Sequence, residues 1–302
     1  MDCLPGFFIR KSRACKKERV KLVENNDNKI ANTMSSIEVE NQNRKKERLR
    51  LTVLSISGMM IFLALWQISV GFGWIPKKFL APPTEVLKSF AIKFYDTRPD
   101  GSTLLVHFIS SFYIALVGFT SAVVIGTPLG LLMGYYKVFD KLVKPVFELI
   151  RPIPPIAWIP LSVLWLGIGT TAKSYIIFLA AFVPCVINSY TGVRLTNPVL
   201  INVAKTCGAS KWKIFIRVCV PSALPLVFTG IRIALGNAWS TLVAAELLAS
   251  TAGLGYMIQQ GRSLVRPDII IVGMLTIGLT GALMAFAVGS LENKVVPWRV
   301  RK

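Results

Sequence analysis

INVAKTCGASKWKIFIRVCVPSALP, from Ile201 to Pro225, is a basic, glycine-broken stretch lying between two long apolar runs. Asn197-Pro198 just upstream reads as a turn, and VLINVAKTC after it suits a helix. Gly208 can take the left-handed conformation that ends a helix, and Ser210 is suited to cap the next one. The segment that follows mixes Lys211, Lys213 and Arg217 with Ile214, Phe215 and Val218, while Trp212 suits a membrane interface. Pro221 and Pro225 then stand at the start of the next apolar run, where a missing N–H costs little. A short, close-fitting helical element joined to a membrane helix can receive force from a partner on its own side of the membrane. Ala204 is small enough to allow a close approach.

The rest of the chain makes that membrane explicit. Of 302 residues, 53% are hydrophobic, the mean hydropathy is +0.56, and the apolar residues come in long runs. This predicts an all-α integral membrane protein. The formal net charge is +20, but Lys and Arg sit between the apolar runs and at both ends instead of forming one basic face. The charge reads as topology, and nucleic acid is excluded as the expected partner.

Six spans are expected, near 52–73, 106–134, 153–168, 173–193, 222–247 and 268–290. The third is short and carries Pro154, Pro155 and Pro160, so its start should be irregular. It reads either as a kinked helix entry or as a wall of a translocation pathway. With the amino terminus inside, one set of segments collects Lys137, Lys141, Lys144, Arg151, Arg194, Lys205, Lys211, Lys213, Arg217, Lys294, Arg299, Arg301 and Lys302. The other keeps Lys77, Lys78, Lys88, Lys93, Arg98, Lys173, Arg262 and Arg266, and the imbalance places both termini in the cytoplasm. On the outer side, FLAPPTEVL and the residues after it read as a short surface helix with Thr84 as N-cap.

Several chemistries are missing. No G-x-x-x-x-G-K-[ST] cradle occurs, GTTAKS at Gly169–Ser174 being the nearest approach, so no ATP site is expected on this chain. Five cysteines include no C-x-x-C pair, and neither a metal site nor a disulfide framework is expected. The single histidine, His107, offers no catalytic grouping and reads as an interfacial residue.

Within the fifth span, Arg232 and Glu246 are the two deep charges, 14 residues apart and so separated by roughly 21 Å of helix. Arg232, Gly236, Trp239, Val243 and Glu246 fall on one stripe, with Asn237, Ser240 and Thr241 beside it. The stripe is either a packing face whose charges are paired or the lining of a solute pathway at a two-subunit interface. Gly253 and Gly255 allow a turn, or a gate, on the outer side.

The Ile201–Pro225 stretch resembles the E-A-A, three residues, G, nine residues, I-x-L-P pattern of binding-protein-dependent permease subunits of ATP-binding-cassette importers. Asn202-Val203-Ala204, Gly208 and Val218-Cys219-Val220-Pro221 keep the spacing, with Asn202 in place of the acidic residue. RPIPPIAWIPLSVLWLGIG (Arg151–Gly169) and GIRIALGNAWSTLVAAELLASTAGLGYMIQ (Gly230–Gln259) are similar to the taurine and aliphatic-sulfonate permeases, a branch shared with nitrate and bicarbonate permeases. The resemblance implies a MetI-like core bundle with a cytoplasmic coupling segment over 199–217, in which Asn202, Val203, Ala204, Lys205, Gly208, Ala209, Ser210 and Lys211 meet an ATPase. It implies a second permease copy, two ATPase subunits that hold ATP and Mg, an extracytoplasmic solute-binding protein, and a place among the lipids of the bacterial cytoplasmic membrane. No cofactor is expected on this chain and no catalysis by it.

The expected organisation is a basic, disordered tail over 1–50, a first span and outer helix over 51–105, the permease core over 106–293 and a basic cytoplasmic end over 294–302. Met34 is an alternative start, which detection of native peptides from 1–33 would rule out. Taurine or an aliphatic sulfonate leads as substrate, with nitrate, bicarbonate or a small heterocyclic vitamin precursor as alternatives. A self-powered secondary transporter, a channel or a membrane scaffold remains as a reading from another class.

Overall fold

The computed structural model describes residues 46–47, 49–248 and 250–297. The expectations for the tail before residue 46, for Met34 and for Arg299, Arg301 and Lys302 lie outside the described residues. The chain forms two units, through Ile68 and from Ser69. The first is built on α1 (Leu49–Gly71), apolar on all its faces, with Leu51, Leu54, Phe62 and Leu65 exposed, as suits a helix among lipid tails.

The second unit runs α2 (Pro83–Lys93), α3 (Leu104–Tyr135), α4 (Lys137–Ile150), a 3₁₀ turn (Pro155–Trp158), α5 (Ile159–Leu166) and α6 (Thr170–Arg194). It continues through α7 (Pro198–Thr206), α8 (Lys211–Ile214), a π turn (Phe215–Cys219), α9 (Val220–Leu248), α10 (Leu254–Ser263) and α11 (Pro267–Val295). The described residues contain no strand.

Small residues decide how the bundle closes. Gly118, Ala122, Gly126, Gly130 and Gly134 recur every four residues along α3 and let it lie directly on α6. A Cβ on Gly118 would stand 2.6 Å from the Ser174 carbonyl, and one on Gly134 would stand 2.8 Å from Val193 Cβ. These contacts advance together along both helices, so α3 and α6 are parallel. Gly192 meets Ala223 while Gly230 meets Asn188, so α9 runs antiparallel to α6. α11 reverses again, with Trp239 Nε1 donating to the Ile277 carbonyl at 3.0 Å.

Parallel neighbours require a return crossing between them. α4 and the Pro155–Leu166 segment supply it as a single broken span, bent by 84°. The expected third span therefore begins much earlier, because Lys137, Lys141 and Lys144 lie on a helix and not in a loop. Arg151 is at the break, beside Phe178 and Phe182 in the middle of α6. α2 is also corrected: it starts at Pro83 with Pro82 as its N-cap, and Thr84 is already inside it, because proline's fixed φ favours the first helical turn.

Leucine at Gly130 should drive α3 and α6 apart, since a Cβ there already approaches Ser189 Cβ to 2.8 Å. Overpacking of this kind costs about 1–3 kcal/mol. We expect Gly130→Leu to lower the melting temperature in detergent, read by fluorescence-detected gel filtration after heating.

Candidate functional site

The α7–α8 corner is held by local chemistry. Asn197 Oδ1 accepts the Val199 N–H at 2.9 Å, capping α7. At its other end Gly208 has φ +73°, and the N–H of Gly208 donates to Lys205 O at 2.9 Å while that of Ala209 donates to Ala204 O at 3.0 Å. This pair of bonds is the glycine-ended helix stop in which the last carbonyls are satisfied. Ser210 Oγ then accepts the Lys213 N–H at 3.4 Å to start α8, and the Tyr135 hydroxyl donates to Lys211 O at 3.0 Å.

Beneath the corner lies a core of Val193, Ile214, Phe215, Cys219 and Ala223. Ala204 and Ala209 pack half-buried against it. The outward face of α7 is instead Val199, Leu200, Asn202, Val203 and Lys205, with Val203 56% exposed. Gly208, Ser210 and Lys211 are also exposed. Ala204 is thus close-packed inside the corner, which corrects its expected position on the approach surface.

The fifth span starts eleven residues earlier than expected, at Lys211 instead of 222, because α8, the π turn and α9 form one continuous helix, Lys211–Leu247. Pro221 and Pro225 are inside it, and the π turn over Phe215–Cys219 lies just ahead of Pro221, where a missing donor disturbs the ladder.

The expected α9 stripe divides between two environments. Arg232 is ion-paired with Glu292 of α11, Trp239 is tied to Ile277, and Thr241 and Glu246 are buried. Gly236, Asn237 and Ser240 are exposed on another face, with Ile233 and Leu247 in line. Trp239, Thr241 and Glu246 are packed inside the bundle, while Arg232 is paired but its side chain stays half exposed. An amide and a hydroxyl in the middle of a span are poorly served by lipid, so Asn237 and Ser240 mark a face for protein or water.

At the α10 end, far from α7, polar groups are buried together. Glu246 is 1% exposed and accepts from Ser111 Oγ at 2.7 Å and from the Gly255 N–H at 2.8 Å. Ser111 Oγ in turn accepts the Leu254 N–H at 2.8 Å, and His107 Nδ1 accepts the Gly253 N–H at 3.0 Å. That bond leaves the ring proton on Nε2, 3.0 Å from Asp100 Oδ2. Asp100 is also ion-paired with Lys93, whose Nζ donates to Ser102 O at 2.8 Å and Arg98 O at 3.1 Å. Burial pushes the Asp100 carboxyl up, but His107 and Lys93 outweigh it and hold it below the usual carboxylate value. Lys173 Nζ donates to Ser250 Oγ at 2.7 Å.

His107 is therefore fully buried, not interfacial. Gly253 is the N-cap of α10 and Gly255 lies inside that helix: Gly253 has φ +133°, and a Cβ on it would run into the Glu246 carboxylate. Arg266 on the same rim is bound to Asp268 at 2.6 Å, which raises its pKa further against the opposing effect of burial.

Residues 126–301 match the family of the binding-protein-dependent transport system inner membrane component. The chain belongs to that family. The permease is 36% identical over 252 residues to the taurine transport system permease protein TauC of Escherichia coli K12, covering 82% of this chain and 90% of the relative. It is 31% identical to the aliphatic sulfonates transport permease SsuC of Bacillus subtilis, over 79% of this chain and 85% of that one. The nitrate import permease NrtB of Synechocystis is also 31% identical, over 78% and 86%. Among solved structures, inward-facing MetNI methionine ABC transporter matches with a TM-score of 0.54 at 19% identity, over 62% of this chain and 93% of that chain, which shows a common fold. The permease is a multi-pass membrane subunit of an ABC importer.

Sequence reasoning missed Lys93, Asp100, Ser111 and Glu292. Ser111 and Glu292 became significant only through partners remote in the chain, whereas the seven-residue spacing of Asp100 from both Lys93 and His107 was a usable signal.

Proposed function

We propose that this permease imports a small sulfonate, taurine first, as one of two identical copies driven by a cytoplasmic ATPase dimer and supplied by an extracytoplasmic binding protein. The observation that carries this reading is the unbroken helix from Lys211 to Leu247. It joins the α7–α8 corner to the exposed Gly236, Asn237 and Ser240 face, so a push at the corner passes to the face along one continuous helix. The α7 end, with Lys205, Lys211, Lys213 and Lys294, is the cytoplasmic side. Both termini lie there.

In this mechanism the partner ATPase holds ATP and Mg and closes on nucleotide binding. Asn202, Val203, Lys205, Gly208, Ser210 and Lys211 ride with it, while Ala204 and Ala209 seat the corner on its core. The α9 face of each copy then swings between inward and outward exposure. The permease holds no cofactor and performs no bond chemistry. Taurine leads because the similarity to TauC, 36% over 252 residues, exceeds that to NrtB, 31% over 242.

The test is uptake into proteoliposomes containing permease, ATPase and binding protein. ATP-dependent accumulation of labelled taurine supports the assignment; nitrate accumulation alone would move it to the other branch. Uptake by the permease without ATPase would replace the importer reading with secondary transport. Docking is checked separately: Val203→Asp puts a carboxylate on the outward apolar face of α7 and should reduce ATPase co-purification at least tenfold. Ala204→Trp is the poorer probe, because it would also disrupt the core beneath the corner.

A further inference from the structure

A cavity of about 430 Å³ opens where the third span breaks, between α4, the 3₁₀ turn and α6, with Asn237 of α9 on its wall. Phe147, Trp158, Phe178 and Phe182 give it an apolar and aromatic lining, and Arg151 and Asn237 are its polar side chains. Because Phe178 and Phe182 are in the central turns of α6, the cavity is at mid-depth of the bundle.

Among the described residues, no partner takes up all the donors of the Arg151 guanidinium. Its ion contact to Glu148 is 3.6 Å, beyond hydrogen-bond reach, and the side chain is 47% exposed. Neither Arg151 nor Asn237 makes a side-chain hydrogen bond among the described residues. A guanidinium met only by this loose contact at this depth is unfavourable against lipid and belongs on a wet, protein-lined space. The backbone agrees. Pro152 and Pro155 lack the N–H groups that would meet the Glu148 and Arg151 carbonyls of a continuing helix. Irregular, acceptor-bearing backbone at membrane depth is tolerated where it borders such a space.

We propose that this cavity selects the solute within the permease itself: Arg151 holds an anionic head while the Trp158–Phe178 wall takes an apolar body. The proposal rests on the import reading and extends it, since the membrane chain then discriminates in addition to the binding protein. A planar guanidinium offers paired donors to the oxygens of a sulfonate. The volume falls in the range of small-ligand sites. Nitrate could use the guanidinium but has no body for the wall, whereas a short alkanesulfonate uses both. Each methylene buried against the wall should tighten binding roughly threefold to fourfold.

The experiment is a titration of the permease–ATPase complex in nanodiscs, without binding protein, with methane-, ethane-, propane- and butane-1-sulfonate and with nitrate, read by intrinsic tryptophan fluorescence and thermal shift. The expected result is an affinity that climbs with chain length, weak or no binding of nitrate, and a loss of at least tenfold in Arg151→Gln with the chain-length increment preserved. Arg151→Lys should recover part of that loss, and Val183→Trp, which fills the cavity, should remove the increment. Each variant is compared at equal yield of assembled complex; if Arg151→Gln fails to assemble, Asn237→Ala carries the test with a smaller expected loss. No saturable binding to the wild type, no dependence on chain length, or indifference to these substitutions overturns the proposal. Taurine uptake by the complete transporter is followed in parallel. Uptake without binding in the cavity defeats this inference alone, and absence of uptake for every sulfonate defeats the import reading.

Discussion

Asp100→Ala will destabilise the protein more than any single surface change, because it strips the counter-charge from buried Lys93 and the neighbouring carboxylate from buried His107. The Asp100 side chain is buried between Lys93, which is 1% exposed, and His107, which is 0% exposed. Removing one member of a buried ion pair costs about 3–5 kcal/mol, mostly from the charge left without a partner. His107 would also lose the group beside its Nε2, and with it the orientation that lets Nδ1 receive the Gly253 N–H. The loss should therefore spread from the α2–α3 connection to the turn before α10. Thermal unfolding in detergent measures the first effect, and amide exchange over 250–257 measures the second. A melting temperature within a degree of the wild type would show that the cluster contributes nothing. Asp100→Asn, which keeps shape and an acceptor but not the charge, should fall between the two.

The sign of the pH dependence follows from the depressed carboxyl. A group whose native pKa lies below its unfolded value stabilises fully above the unfolded value, here the ordinary 3.8, and loses that contribution as the pH falls through the lower native one. The gap between wild type and Asp100→Ala should be constant near neutrality and should close only in acid.

The α7–α8 corner was legible in the sequence because its signals are local. Asn197, Gly208 and Ser210 each act on backbone groups within a few residues, so turn, stop and cap could be read from spacing alone. The four long core spans were legible for the same reason: hydropathy is a property of the segment. The third span was misjudged because α4 carries charge on one side and enters the bundle with the other, and average composition hides such a helix. The α9 stripe stayed open between packing and lining because periodicity names a face without saying which neighbour covers it. Arg232 and Glu246 share one stripe in the sequence, and Glu292 and Ser111 take them in opposite directions. The close contact of α3 with α6 was present in the sequence as a small residue at every fourth position from Gly118 to Gly134, a pattern easily lost in so apolar a run.

Gly208→Val should uncouple ATP hydrolysis from import while leaving the protein inserted and assembled. No atom lies within 4 Å of a Cβ at Gly208, so the substitution meets no steric obstacle in space. What it meets is the backbone: at φ +73° a β-branched side chain is strongly disfavoured, and the residue must leave that conformation. The bonds from the Gly208 and Ala209 N–H groups to Lys205 O and Ala204 O then break, and α7 loses its fixed angle to α8. α8 is continuous with α9, so the span itself is untouched. The outward face of α7 also keeps Val199, Leu200 and Val203 for contact with the ATPase. The expected result is hydrolysis within about threefold of wild type with taurine uptake reduced at least tenfold. Gly208→Asn, which tolerates the left-handed region, should retain most of the uptake. If Gly208→Val imports normally per ATP hydrolysed, the rigid corner is not the route by which force reaches α9, and the continuous helix from Lys211 must be driven by contacts on α8 alone.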